Sequence, residues 1–248
     1  MARLLHLLLE RFGDLLYPRT CEVTNQPISP WGPFHHLAPE IQTHLVSLNP
    51  PLCHHCGKSL PGLPSGQICE DCRNSRPPSR ILRSRAAVIL NPVARHLIHQ
   101  FKYQGRLWIV PDLVRILLSN PELHPILTNG ILVPIPLAPA RYRQRGFNQA
   151  EVLAREILRQ RPGHQLQLTQ LLHRIRETPT QTARSRAERF HNVRRAFHCP
   201  PPNDPSILGS RLILVDDVQT TGATLESAAR GLWRAGARRI ESITFAHG

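Results

Sequence analysis

The chain has 248 residues, 41% of them hydrophobic, with a formal charge of +14 and a sequence pI near 11.0. That length and apolar content allow one α/β domain with its own core plus a small appended module, and they exclude a chain that stays unfolded. The charge favours polyanionic partners such as phosphorylated metabolites or nucleic acid, although Lys58 and Lys102 are the only lysines, so a coding bias towards Arg accounts for part of it.

Leu4-Leu-His-Leu-Leu-Leu9 is too short to span a bilayer, and Glu10, Arg11 and Asp14 interrupt it. No small-residue cleavage site follows, so the stretch reads as a packing helix running through Leu15 and Leu16, and the chain is expected to be cytoplasmic with no membrane span. The first eighty residues are rich in Pro, Cys and His and lack apolar periodicity, which predicts a loop-dominated module. Within it, Cys53-His-His-Cys56 and Cys69-Glu-Asp-Cys72 are separated by twelve residues. Thiolates from Cys53, Cys56, Cys69 and Cys72 can close a tetrahedral structural Zn²⁺ site with no open position, leaving His54 and His55 as bystanders. Disulfides are the alternative, disfavoured in a reducing compartment. Cys199 has no evident partner.

Pro77-Pro78, set among Arg73, Arg76, Arg80, Arg83 and Arg85, predicts a boundary near 76–85, between a module over 1–80 and a domain over 86–248. Ala86–Leu90 reads as a strand, followed by a helix with Val93, Ala94, Leu97, Ile98 and Phe101 on one face. Ile131–Ile135 is a second strand, followed by a basic loop, Arg141-Tyr-Arg-Gln-Arg-Gly-Phe-Asn-Gln149. Arg141, Arg143 and Arg145 at alternate positions there could grip a pyrophosphate bidentately, or form a solvated basic loop. A helix with Ala150, Leu153, Ala154, Ile157 and Leu158 on one side comes next. Across 141–195 lie thirteen Arg and four Glu, a net +9, a clustering that codon usage does not explain. The long polar run from Arg174 to Phe197 reads either as a lid or binding loop, or as a plain basic surface.

Leu212-Ile-Leu-Val215 is a buried strand that delivers Asp216 and Asp217 to the carboxyl end of a parallel sheet, where open α/β sheets bind ligands. With the chain expected to turn there, both carboxylates could address one sugar or a bound cation. Gln219-Thr-Thr-Gly-Ala-Thr224 then opens a helix bearing Leu225, Ala228, Ala229, Leu232 and Trp233, stopped near Gly236 and followed by a strand over 239–246. Helix amides, the hydroxyls of Thr220, Thr221 and Thr224, and Gly222 suit the phosphate of a ribose phosphate. The competing reading is a helix cap. The loop lacks the Lys of a Walker motif and the glycines of a dinucleotide fingerprint.

This run resembles the phosphoribosyl pyrophosphate (PRPP) motif of type I phosphoribosyltransferases. Together with Val-Pro-Ile-Pro, Arg-Gln-Arg-Gly-Phe-Asn-Gln, Gln-Thr-x-x-Ser-Arg-Ala-Glu-Arg and Asn-Val-Arg, it resembles the ComF family over residues 86–248. Phe101-Lys-Tyr-Gln-Gly105 also fits that family. The resemblance implies a type I phosphoribosyltransferase-like parallel sheet flanked by helices, with an N-terminal four-cysteine zinc module and a link to DNA uptake in natural transformation. It implies Mg²⁺-PRPP held by Val215, Asp216, Asp217, Gln219, Thr220, Thr221, Gly222, Ala223 and Thr224, with Asp216 and Asp217 on the ribose and in the catalytic role. Arg141, Arg143 and Arg145 would lie near the pyrophosphate, and Gln181, Arg184, Arg186 and Arg189 would belong to a flexible lid. Many members carry a further Cys-x-x-Cys near the start, where Cys21-Glu-Val-Thr24 keeps only the first thiol. Two other readings remain: a non-catalytic adaptor for single-stranded DNA on the same fold, and a Cys module that docks onto uptake machinery.

Overall fold

The computed structural model describes residues 19–29, 31–75, 77–175, 196–199, 201–202, 204–205 and 207–248. The expected N-terminal helix over Leu4–Leu16 lies outside the described residues. No helix among the described residues is long and apolar enough to cross a membrane.

Two short helices, α1 (Pro39–His44) and α2 (Glu70–Arg73), precede the sheet. Strand β1 (Arg83–Ile89) leads into α3 (Pro92–Tyr103), and α4 (Val110–Ser119) follows. Next come β2 (Asn129–Pro134), α5 (Pro139–Arg145), α6 (Gln149–Gln160) and β3 (Gln165–Leu168). A small antiparallel pair, β4 (His173–Arg174) with β5 (Phe197–His198), lies outside the main sheet. The chain closes with β6 (Arg211–Gln219), α7 (Ala223–Arg234) and β7 (Arg239–His247).

The main sheet is parallel throughout, in the order β1-β7-β6-β2-β3. Parallel strands need both faces covered, and β6 shows why its sequence is continuously apolar. Ile213 and Val215 face one buried cluster with Leu97, Phe101, Leu113 and Leu153, whereas Leu212 and Leu214 face another with Leu225, Ala228 and Leu232. Helices α3 and α6 begin at local side-chain caps. Asn91 caps α3 by accepting the Ala94 amide at 2.9 Å, and Asn148 caps α6 by accepting that of Ala150 at 3.1 Å.

The Cys-rich segment is packed against this sheet. Cys21, Phe34, Leu37, Ile41 and Leu45 join the same buried cluster as Phe101 and Phe245. The Asp112 carboxylate on α4 accepts the His35 amide at 3.0 Å and the His36 amide at 2.7 Å. Along the outer side of β1, Leu48 donates to Ala87 at 3.0 Å, Ile89 donates to Val46 at 2.8 Å, and Ser47 bridges Val88 antiparallel.

Gly57 shows how close the approach is. Its φ is +73°, and a Cβ there would sit 2.6 Å from the Ser84 carbonyl oxygen, a backbone atom that cannot swing aside. Gly57→Ala is expected to cost about 1–3 kcal/mol, read as a lower urea midpoint. An unchanged midpoint would refute the close docking.

Candidate anion and metal sites

Strand β6 does not end at the acidic pair. It continues in register with β7 as far as Gln219, opposite His247. The two-residue alternation of a strand therefore sends Asp216 and Asp217 to opposite faces, where the sequence suggested a turn that brings both to one ligand. Asp217 is 4% exposed, on the side of Ile213 and Val215. Its Oδ2 accepts Lys102 Nζ at 2.7 Å and Gln149 Nε2 at 3.3 Å. Burial pulls the Lys102 ammonium towards its neutral form, but Asp217 outweighs it and the pKa ends above the usual lysine value. Asp216 takes the other face, half-buried, with Arg174 exerting a favourable charge interaction. Loss of hydration, then repulsion from Asp217, pushes its carboxyl up to about 7.

After Gln219 the chain turns through Thr220 and Thr221 to Gly222, which adopts a left-handed φ of +70° and starts α7. No side chain at the N-cap position satisfies the first amides of α7. Thr221 Oγ1 approaches the Ala223 amide only at 3.5 Å. The cap is therefore a weak one: Thr220 is exposed, and Thr221 and Thr224 are partly buried beside the first amides of α7. The arrangement can receive an anion from solvent.

Arg141–Arg145, expected as a loop, is the helix α5. Pro139 begins it and Gly146, at a φ of +80°, ends it, a Pro-first and Gly-last signature visible in the sequence. The helical turn places Arg141 and Arg145 on one face and Arg143 away from them. Arg145 lies 5.0 Å from the Tyr103 ring centre. Burial lowers its pKa, partly offset by Tyr103 and Asp217. Arg143 instead lines a cavity of about 400 Å³ with Pro134, Tyr142, Asn148, His173 and Arg174. Gln181, Arg184, Arg186 and Arg189 lie outside the described residues. Lys102 and Gln149 had no assigned role in the sequence reading. Their signal was present, since both fall inside segments that resemble the ComF family, but neither segment announces a contact with β6.

The four cysteines of the paired knuckles come together. The Sγ atoms of Cys53, Cys56, Cys69 and Cys72 all lie within 4.8 Å of one another, and Cys56 Sγ is 3.7 Å from Cys69 Sγ. A tetrahedral ion with Zn–S bonds near 2.3 Å requires sulfur separations of about 3.8 Å, so the set can hold a metal ion. Burial raises the Cys53 thiol, but the Cys69 amide, donating to Cys53 Sγ at 3.3 Å, and the neighbouring Cys56 groups outweigh it and bring it to about 7. Hydrogen bonding with Cys72 and burial push Cys56 far up. A divalent cation reverses that resistance to multiple ionisation. All six cysteines are free. His54 and His55 are outside the ligand set, and Cys21 Sγ accepts the amides of Val23 at 3.4 Å and Ala38 at 3.3 Å. Cys199 packs against Gly231 of α7.

Comparison with known proteins adds the family. The Phosphoribosyl transferase domain family matches residues 143–248. The chain is 34% identical over 195 residues to DNA utilization protein YhgH of Escherichia coli, covering 77% of this chain and 81% of that protein. It is 30% identical over 200 residues to Competence protein F of Haemophilus influenzae, covering 77% and 82%. It is 33% identical over 187 residues to Competence protein ComFC of Bacillus subtilis, covering 71% of each. The chain belongs to the ComF family. The fold and the family thus agree: a type I phosphoribosyltransferase-like sheet with a four-cysteine cluster ahead of it. The two ComF segments around Lys102 and Gln149 meet at one buried carboxylate, Asp217.

Proposed function

We propose that this ComF protein binds PRPP with Mg²⁺, works in the cytoplasm and serves DNA uptake or utilisation. The observation that carries the PRPP reading is the weakly capped start of α7 behind Gly222, beside the partly buried carboxylate of Asp216. Backbone amides of the 220–224 loop and the hydroxyls of Thr220, Thr221 and Thr224 receive the 5′-phosphate. Asp216 takes the ribose hydroxyls or the cation, and Arg141 and Arg145 take the pyrophosphate. Ala223 lies at the start of α7 beside the loop, while Val215 and Asp217, the latter paired with Lys102, support the loop from the opposite face of β6. When bound, Mg²⁺ supplies charge neutralisation on the pyrophosphate. If pyrophosphate departs, Asp216 stands where positive charge develops at C1′, the catalytic role this reading gives it. Zn²⁺ fills the four-cysteine cluster as a structural ion. In chain organisation, residues 1–80 form the Cys module and 86–248 the transferase-like domain.

The test is calorimetric titration of Mg²⁺-PRPP into the zinc-loaded chain. Asp216→Asn is expected to weaken binding about ten- to a hundredfold, the loss of a charged hydrogen-bond partner. Because Asp216 must ionise to serve, affinity should rise with pH through about 7, and the Asn variant should lose that part of the rise. The folded-state pKa is raised, so stability is favoured at acid pH and declines as pH increases from about 4 to about 7. No PRPP binding by wild type sinks the reading.

A second reading has its own support. The charge of +14, with thirteen Arg across 141–195, and relatives named for DNA utilization and competence favour single-stranded DNA as a partner. Here the fold acts as an adaptor and PRPP as a regulator. Steep loss of DNA binding with salt, with no pyrophosphate released in the presence of bases or DNA, would favour it.

A further inference from the structure

Gln219 stands where β6, the 220–224 loop and the cysteine knuckle meet, and its side chain turns away from the crevice. The residue is 5% exposed. Its Oε1 accepts the Ser84 hydroxyl of β1. Ser84 Oγ in turn accepts the Ser242 hydroxyl of β7 at 2.7 Å. Its Nε2 donates at 3.2 Å to the backbone carbonyl of Cys56, one of the four thiol residues. The same nitrogen would lie 3.7 Å from a Cβ built on Gly222, so the amide underlies the turn that starts α7.

The knuckle is strapped to the sheet on both sides of this contact. The Ser84 amide donates to the His55 carbonyl at 2.7 Å. Arg85 Nη1 donates to the carbonyls of Cys53 at 3.3 Å and His54 at 3.2 Å, while Arg85 Nε pairs with Glu122 at 3.2 Å. A displacement of the Cys53–Cys56 backbone therefore reaches β1 and Gln219 together. In a shielded network of this kind each lost bond leaves a buried group unsatisfied, so a shift at one end is costly to absorb locally.

We infer that Gln219 is a positioning residue that couples metal occupancy of the cysteine knuckle to the shape of the 220–224 loop, so that metal and a phosphate-bearing ligand strengthen each other's binding. This rests on the PRPP reading above. A metal ion fixes the four sulfurs and with them the Cys56 carbonyl. The carbonyl fixes the Gln219 amide, and the amide fixes the start of the loop. Coupling of this kind is reciprocal: the factor by which metal tightens PRPP is the factor by which PRPP tightens metal. A factor of about ten is expected, the scale of one buried hydrogen bond whose acceptor is then orphaned.

The full chain, zinc-loaded, supplies the test, with Mg²⁺-PRPP affinity measured for wild type, Gln219→Leu and Ser84→Ala. Zinc transfer to a competing chelator is followed with and without Mg²⁺-PRPP. Gln219→Leu should retain one zinc per chain and an unchanged circular dichroism spectrum, yet bind PRPP about tenfold more weakly. In wild type, PRPP should raise the chelator concentration needed for half-removal by the same factor, an effect absent in Gln219→Leu. Ser84→Ala, which keeps the Cys56 bond, should retain most of that coupling. If Gln219→Leu binds PRPP like wild type, or if PRPP leaves wild-type zinc transfer unaltered, the coupling is wrong and the PRPP reading survives. If loaded wild type binds no PRPP, both fall. Should Gln219→Leu fail to fold, wild-type zinc transfer with and without PRPP decides the matter alone.

Discussion

Lys102→Met is expected to lower the unfolding free energy by about 3 kcal/mol, the low end of the range for stripping one partner from a buried ion pair. The low end applies because 19% of the Lys102 side chain still reaches solvent and Gln149 goes on donating to Asp217. The cost arises less from the attraction lost than from the carboxylate left behind, which sits at 6% side-chain exposure among apolar neighbours. A double substitution distinguishes the two. Lys102→Met with Asp217→Asn removes both charges and should recover most of the loss, giving a large coupling in a double-mutant cycle. Urea denaturation measures it. Independent, additive losses would show that the pair is incidental.

Stripping the Zn²⁺ proposed for the four-cysteine cluster, or Cys69→Ser, should have the largest effect. Apparent binding energies of structural Zn²⁺ run to about 10–16 kcal/mol, and most of that is folding energy of the segment that supplies the ligands. The cysteine knuckle has little regular structure of its own, since α2 spans only four residues, and it depends on its ties to β1. The amides that tie it to β1 are direct reporters. Leu48, which donates to Ala87, and Ser84, which donates to His55, should lose hydrogen-exchange protection on chelation. Amides inside β6 should remain protected. Protection at Leu48 and Ser84 that survives complete metal removal would show that the thiols hold the knuckle without an ion.

Much of the fold could be read from the chain because its signals are local. Leu212–Val215 is apolar on both sides as a central parallel strand must be, and the helix from Ala223 repeats its apolar positions at the spacing of a buried face. The paired Cys-x-x-Cys motifs announced the thiol cluster through spacing alone. Most of what escaped at the site was long-range. Asp216 and Asp217 separate because β6 keeps pairing with β7, a partner that no local propensity reveals. Lys102 lies at the end of a helix far along the chain from Asp217, and a lone Lys in an Arg-rich protein carries no mark of its contact. Gln219 read as a ligand residue because it begins the polar loop, whereas burial commits its side chain to Ser84 and Cys56. Two helices carry local cues that the sequence reading did not use: α5, with Pro139 at its first turn and Gly146 just past its end, and α4, with Val110, Leu113, Val114 and Leu117 at helical spacing.

The contact of residues 46–48 with β1 bears on how the protein can be handled. β1 is an outer strand of the sheet, and its free side is occupied by Val46, Ser47 and Leu48. Expression of the transferase-like part alone, cut at the apparent linker near residue 80, would bare a strand containing Ala86, Ala87 and Val88 with unpaired backbone groups along it. Such an edge recruits further strands, so that fragment should form inclusion bodies where the whole chain does not. The cysteine segment is thus also a cover against self-association, and loss of the proposed Zn²⁺ is expected to appear as insoluble protein.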